Sequence, residues 1–212
     1  MISKNNKIFA TLILLTSFTV NNVFAGNSNK IDQANKLVTN LTSEVLKTTS
    51  NKSLSENAKR DQVFKEIDKV IDAEWIAKFT LGKNYKNLDN NQQKKFIDLY
   101  HQYVVKTYGP KLRNYGNLKF KILQTIEQGK FIVVKTEFES QNSPKVFIDF
   151  KLKDKDQNLV IIDFIAEGVS FIETQRSEFG SIVSDKGIAE LFKILEQRII
   201  NLDKSPNKSL AK

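Results

Sequence analysis

The first part of the chain carries its apolar residues at helical spacing, and the second part switches to alternation. Ile31, Ala34, Leu37, Val38, Leu41, Val45 and Leu46 recur every three or four positions. They predict a first helix, behind a polar lead-in over 26–29 and ahead of a polar break over 48–53. Ser53-Leu54-Ser55-Glu56 has the form of a capping box and opens a second helix, with Val63, Phe64, Ile67, Val70 and Ile71 on its apolar face. A shorter helical piece holds Trp75, Ile76 and Phe79, and Gly82 is placed to cap its C-terminus. Asp89-Asn90-Asn91-Gln92 opens the longest helix, where Phe96, Leu99, Tyr100, Tyr103, Val104 and Tyr108 share a face until Gly109-Pro110 ends or kinks it.

After Gly116 the period becomes two. Leu118, Phe120 and Ile122 alternate with Lys119, Lys121 and Leu123, and Gln128-Gly129-Lys130 makes a turn. Ile132, Val134, Thr136 and Phe138 form one face of the next strand, and residues 140–144 are a polar loop. Val146, Ile148, Phe150 and Leu152 then alternate with Lys145, Phe147, Asp149, Lys151 and Lys153; after a turn over 154–158, a fourth strand covers 159–166. Short connections predict an antiparallel meander. Beyond Gly168 the helical spacing returns, with Phe179, Ile182 and Val183 before Gly187, then Ile188, Leu191, Phe192, Leu195 and Ile199. Helices, then a sheet, then helices give an α+β fold, and no linker divides it into two domains.

The ends change the picture. Lys4 and Lys7 precede an apolar run over 8–20, and Val23-Phe24-Ala25 fits a signal-peptidase site. Residues 1–25 therefore read as an export signal, 26–202 as one domain and 203–212 as a flexible tail. The apolar run is shorter than the roughly 20 residues of a spanning helix. The chain has no cysteine, which leaves no disulfide, thiolate or cysteine-metal chemistry. The formal charge is +9, and removing a segment with two lysines and no acid leaves +7. A basic surface suits anionic partners, and export makes nucleic acid an unsuitable one.

Few residues are candidates for catalysis. His101 is the single histidine and lies at the edge of the long helix face, with no second histidine or cysteine to complete a zinc site. Asp149 and Asp163 lie in strands beside apolar residues, and either could act as a base if buried in an apolar cavity. Strict alternation puts Asp149 opposite the cleaner apolar face and Asp163 with Ile161 and Ile165. The alternative for both is a strand acid bonded to backbone or to a lysine. Ser170 reads as a helix-start residue, because no G-x-S-x-G surrounds it, and no phosphate-binding glycine loop is present.

Three segments share a character. Residues 160–179, VIIDFIAEGVSFIETQRSEF, pass from a strand through Glu167-Gly168 into a helix carrying Arg176-Ser177-Glu178-Phe179. Phe79-Thr80-Leu81-Gly82-Lys83-Asn84-Tyr85 and Tyr103-Val104-Val105-Lys106-Thr107-Tyr108 precede them in order. Together, over roughly residues 31–200, they resemble the signatures of the toluene-tolerance or MlaC family of periplasmic phospholipid carriers. Tyr85 departs from the Trp often found there.

The resemblance implies a nuclear-transport-factor-like cone: a curved four-stranded antiparallel sheet closed by helices, also compatible with the strand pattern. It further implies a soluble periplasmic shuttle that maintains outer-membrane lipid asymmetry and uses no cofactor. Its partners would be a phospholipid ligand, an inner-membrane ABC transporter with MCE domains and an outer-membrane lipoprotein–porin complex. The interior candidates for acyl chains are Val104, Tyr108, Phe120, Ile122, Val134, Phe138, Ile148, Phe150, Ile165, Val169 and Phe171. Arg176 and Lys83 are candidates for headgroup or partner contact, Arg176 having an ion pair with Glu167, Glu173 or Glu178 as its structural alternative. Lys106, Lys111 and Arg113 either rim the mouth or are ordinary solvated charges. Two other readings remain: an enzyme on the same scaffold using a strand carboxylate, and an exported binding module with no lipid cavity.

Overall fold

The computed structural model describes residues 24–109, 118–140 and 143–204. Four helices come first: α1 (Phe24–Ser50), α2 (Glu56–Asp68), α3 (Ala73–Leu81) and α4 (Asn90–Tyr108), with a 3₁₀ turn over Gly82–Asn87. The strands β1 (Lys119–Gln128), β2 (Phe131–Ser140), β3 (Ser143–Lys155), β4 (Asn158–Ala166) and β5 (Val169–Ser170) follow, then α5 (Phe171–Lys186) and α6 (Ile188–Lys204). The export segment expected over 1–25 falls almost wholly outside the described residues, as does most of the tail.

Side-chain caps set the helix starts. Ser55 accepts from the Ala58 amide, Asp72 from Trp75 and Ser170 from Glu173. Asp89 accepts from the Asn91 and Gln92 amides while the Gln92 side chain accepts from the Asp89 amide, a complete capping box. Two boundaries differ from the sequence expectation. The helix α1 begins at Phe24, ahead of the polar lead-in. The helix α2 takes Ser55 as its N-cap, two residues after Ser53, and stops at Asp68, which releases Val70 and Ile71. They run beside β4 instead: the Ile161 amide donates to the Val70 carbonyl at 2.7 Å, and the Asp72 amide to the Ile161 carbonyl at 3.2 Å.

The sheet is an antiparallel meander in the order β1-β2-β3-β4-β5. Three of its turns use left-handed residues: Gly129 between β1 and β2, Asp156 and Gln157 between β3 and β4, and Glu167 and Gly168 between β4 and β5. The third of these turns produces β5, a two-residue strand added to the four expected. It pairs Ile165 with Ser170 and Ala166 with Val169. With β5 on one half of β4 and residues 70–72 on the other, that edge of the sheet is covered.

Register fixes the faces. Val134 pairs Phe150, Ile132 pairs Leu152 and Phe150 pairs Phe164, so these residues share the inner face. A shift between Lys151 and Leu152 places an extra residue on β4, pairing Leu152 with Ile161 but Lys151 with Asp163. Ile161 thus stays inside while Asp163 and Ile165 turn to the outer face. The single face carrying Ile161, Asp163 and Ile165 that strict alternation predicts is therefore corrected.

Candidate functional site

The apolar interior is divided into two clusters. One is helical: Phe96 and Tyr100 of α4, Phe179 of α5 and Phe192 of α6 stack around one another, with ring centroids 5.7–6.2 Å apart. The other joins Ala34, Val38 and Leu41 of α1 to Ile132, Val134, Phe150, Leu152 and Ile161 of the inner sheet face. Ile71 packs against both. The helical layer meets the sheet along β4, through α3 and α5, whereas α4 packs on α3 and α6.

Burial on the inner face is graded. Val134, Leu152 and Ile161 are completely buried, but Phe120, Ile122, Val146, Ile148 and Phe164 are only half-buried. The half-buried group sits where β1 and β3 begin and β4 ends, which is one end of the meander. On the helical side Val104 and Phe171 are also half-buried, and Tyr108 lies edge-on to Phe171 at 5.0 Å. Neither cluster fully buries the side chains at its edge.

The expected interior residues divide accordingly. Val104, Tyr108, Phe120, Ile122, Ile148 and Phe171 are half-buried, and Val134, Phe138 and Phe150 are buried in the sheet-side core. Two placements are corrections. Ile165 pairs Asp149 on the outer face, a consequence of the irregularity in β4. Val169 is 62% exposed, because β5 carries it to the rim of the sheet.

A groove between α2 and α4 was not anticipated. It forms two open clefts of about 410 and 400 Å³, which share Asp68 and His101. Phe64 and Val105 line one, and Ile71, Ala73 and Ile97 the other. His101 Nε2 lies 3.0 Å from both carboxylate oxygens of Asp68, so the lone histidine ties α4 to α2 across the groove. Ile97, His101 and Val105 are four residues apart, and this second stripe on α4 is the signal that could have revealed the groove.

Arg176 is exposed and is held by contacts within the chain. Its guanidinium donates to the Phe79 carbonyl at 2.6 Å, covers the Phe79 ring at 4.8 Å and rests on Gly82. It therefore caps the C-terminus of α3. Among the described residues no ion pair joins it to Glu167, Glu173 or Glu178: Glu167 accepts from the Phe147 amide at 2.8 Å, and Glu178 pairs with Arg198. Lys83 is exposed on the 3₁₀ turn. Lys106 is half-buried near the end of α4, and Lys111 and Arg113 lie outside the described residues.

Of the two strand acids, Asp163 has a structural role. Asp163 is buried and accepts from Ser170 Oγ at 2.6 Å and from the Ile172 amide at 3.1 Å, tying β4 to the start of α5. Burial pushes its carboxyl above the usual value, and those two hydrogen bonds oppose the shift. Burial raises Asp149 as well, against the pull of Lys135. Register puts both carboxyls on the face of the sheet opposite Phe150 and Phe164, and Asp163 lies close enough to Tyr100 to oppose its ionisation. Among the described residues no group of three or more His, Asp or Glu is arranged to hold a metal.

Known proteins show the same architecture. A family profile described as MlaC protein matches residues 36–197. A solved structure from Ralstonia solanacearum, described as a phospholipid-binding protein in complex with a phospholipid, superposes with a TM-score of 0.73. It is 19% identical, and the match covers 81% of this chain and 99% of that one. The profile spans most of the sequence and includes all three motif segments; the chain belongs to the MlaC family.

Proposed function

We propose that this protein is an exported phospholipid carrier, soluble in the periplasm once residues 1–25 are removed. The observation that carries the reading is the divided interior. A close-packed domain of this size is expected to have one contiguous core. Here half-buried Phe120, Ile122, Val146, Ile148 and Phe164 edge the sheet-side cluster, and half-buried Val104 and Phe171 edge the helical one. The Ralstonia protein of the same fold is described as holding a phospholipid.

The physical drive is desolvation. Each acyl methylene removed from water contributes about 0.8 kcal/mol, so two chains of roughly 15 methylenes give on the order of 20 kcal/mol before the costs of ordering. The headgroup stays at the mouth, since burying it without partners would cost several kcal/mol. Binding of this kind needs no covalent step, which agrees with an Asp163 carboxylate already engaged by Ser170 and the Ile172 amide. No described helix is long and apolar enough to cross a membrane. The carrier would move lipid between an outer-membrane lipoprotein–porin complex and an inner-membrane ABC transporter with MCE domains, and so maintain outer-membrane lipid asymmetry.

Native mass spectrometry of the purified mature protein, with solvent extraction of what it carries, is the test. One phospholipid per protein chain is expected, either as purified or after incubation with vesicles. A protein that stays empty after exposure to vesicles refutes the carrier.

A further inference from the structure

Among the described residues, three buried side-chain atoms have no hydrogen-bond partner: the Tyr100 hydroxyl, the Thr107 hydroxyl and the Gln175 side-chain carbonyl. All three belong to the contact of α4 with α5. The helices touch through two ring pairs, Tyr100 against Phe179 at 5.7 Å and Tyr108 against Phe171 at 5.0 Å. These contacts run in opposite directions along the two helices. Gln175, about one turn from both Phe171 and Phe179, therefore falls between them. Thr107 is about two turns beyond Tyr100 on the same face of α4. Tyr100 is 5% exposed and Gln175 3%, so neither is a surface residue.

Nearby polar groups are already engaged. The Asp163 carboxylate holds Ser170 and Ile172, and Arg198 reaches the hydroxyl of Tyr103. A buried polar atom without a partner is destabilising, and folded proteins keep few of them. Phe, Val and Leu would fill the same space without that cost. Three such groups in one short stretch, beside half-buried Val104 and Phe171, indicate a polar ligand.

We propose that Tyr100, Thr107 and Gln175 form a polar subsite in the helical wall that hydrogen-bonds the ester linkages of a bound diacyl phospholipid. The inference rests on the carrier reading above and deepens it. Ester carbonyl oxygens accept hydrogen bonds and lie at the root of the acyl chains, between greasy tail and charged headgroup. Polar groups set into an otherwise apolar wall match that sequence of chemistries. Both hydroxyls can donate, and the Gln175 carboxamide can turn to present its NH₂. Burial pushes the Tyr100 hydroxyl far above its usual value, so it stays protonated as a donor. The consequence is selection for the linkage itself, whatever the headgroup. A site built to hydrogen-bond a group discriminates against the analogue lacking it.

The test is competition for the mature protein between a diacyl phosphatidylglycerol and the diether phosphatidylglycerol of equal chain length, mixed equally in vesicles. Native mass spectrometry reads the two bound masses. One net hydrogen bond corresponds to about a 5-fold preference, so the wild type should favour the diester by at least about that factor. Tyr100→Phe and Gln175→Leu should each bring the ratio towards one, without lowering the melting temperature of the lipid-free protein. Thr107→Val gives a third, less buried position should either of those fail to fold. Equal loading of the two lipids by the wild type overturns the subsite and leaves the carrier intact. A wild-type preference that survives all three substitutions also overturns it. Loading of neither lipid instead refutes the carrier, and with it the basis of the subsite.

Discussion

Gly82→Ala should destabilise the protein by about 2–3 kcal/mol, in two separable parts. Gly82 ends α3 with φ 56 and ψ −130, a conformation that residues bearing a Cβ adopt at a cost of about 1–3 kcal/mol. The added methyl would also lie 3.0 Å from Arg176 Nη2 and 3.2 Å from its Cζ. The guanidinium is the far end of a flexible side chain and can move, but moving it disturbs the bond to the Phe79 carbonyl. Because Arg176 is exposed, that bond contributes only about 0.5–1 kcal/mol. At about 2–4 °C per kcal/mol for a chain of this length, the melting temperature should fall by about 5–10 °C. Thermal unfolding followed by circular dichroism reads the change, and Arg176→Ala with the double mutant completes a cycle. In the Arg176→Ala background the backbone part should persist and the contact part vanish, leaving a coupling of about 0.5–1 kcal/mol. If Gly82→Ala stays within about 0.5 kcal/mol of wild type, the left-handed cap is wrong. If the coupling is zero, Gly82 and Arg176 do not act together.

Ile148→Trp probes the inner face. If half-buried Ile148 borders the lipid surface, the indole enters it: stability should change by less than about 1 kcal/mol while lipid occupancy in native mass spectrometry falls. A loss of about 1–3 kcal/mol with lipid retained would show a packed core there instead. Asp72→Asn probes the link between the start of α3 and β3. Burial raises the Asp72 carboxyl, but bonds from Lys153 at 2.8 Å, Lys155 at 3.0 Å and the Trp75 amide outweigh it and hold the carboxyl below its ordinary value. A lowered acid contributes stability above its unfolded value, near ~3.9, and loses it as pH falls through the folded value. The substitution should cost about 1–3 kcal/mol at pH 7 and flatten the acid limb below about pH 4; unchanged urea midpoints at pH 7 would contradict it.

Much of the fold was legible because local and global signals agree. Asp89 and Gln92 cap α4 as their spacing predicts, and Gly82 and Gly187 end helices where left-handed backbone is needed. The alternation in β2 and β3 gave the correct inner face, because hairpin pairing preserves a period of two. It failed in β4, where Val160, Ile161 and Ile162 form an unbroken apolar run. Such a run hides an inserted residue: both Ile161 and Ile162 are completely buried, so no polar position marks the break. The strand β5 was invisible for a different reason, since two residues after a turn carry no periodic signal. The placement of Val70 and Ile71 depends on a bond to Ile161, far along the chain, that no local pattern encodes.

The candidate site was harder to read, because its defining property is incomplete burial. Hydrophobic patterning ranks Val134 and Ile148 alike, as inner-face residues of adjacent strands. Their difference in exposure comes from where α1 lies over the sheet, a tertiary fact. Arg176 shows a role that its motif alone did not reveal. An arginine within a motif suggests a ligand contact, yet here the motif residues meet one another: Gly82 of the second segment leaves space for Arg176 of the first, which reaches Phe79. Two stretches far apart in sequence thus fix α3 against α5, the two helices that carry the helical layer onto β4. A joint at that place holds the helical wall while leaving α4 off the sheet. A motif that locks a frame is as informative about a carrier as one that grips the cargo, because an apolar surface stays uncovered only if the elements around it cannot collapse together.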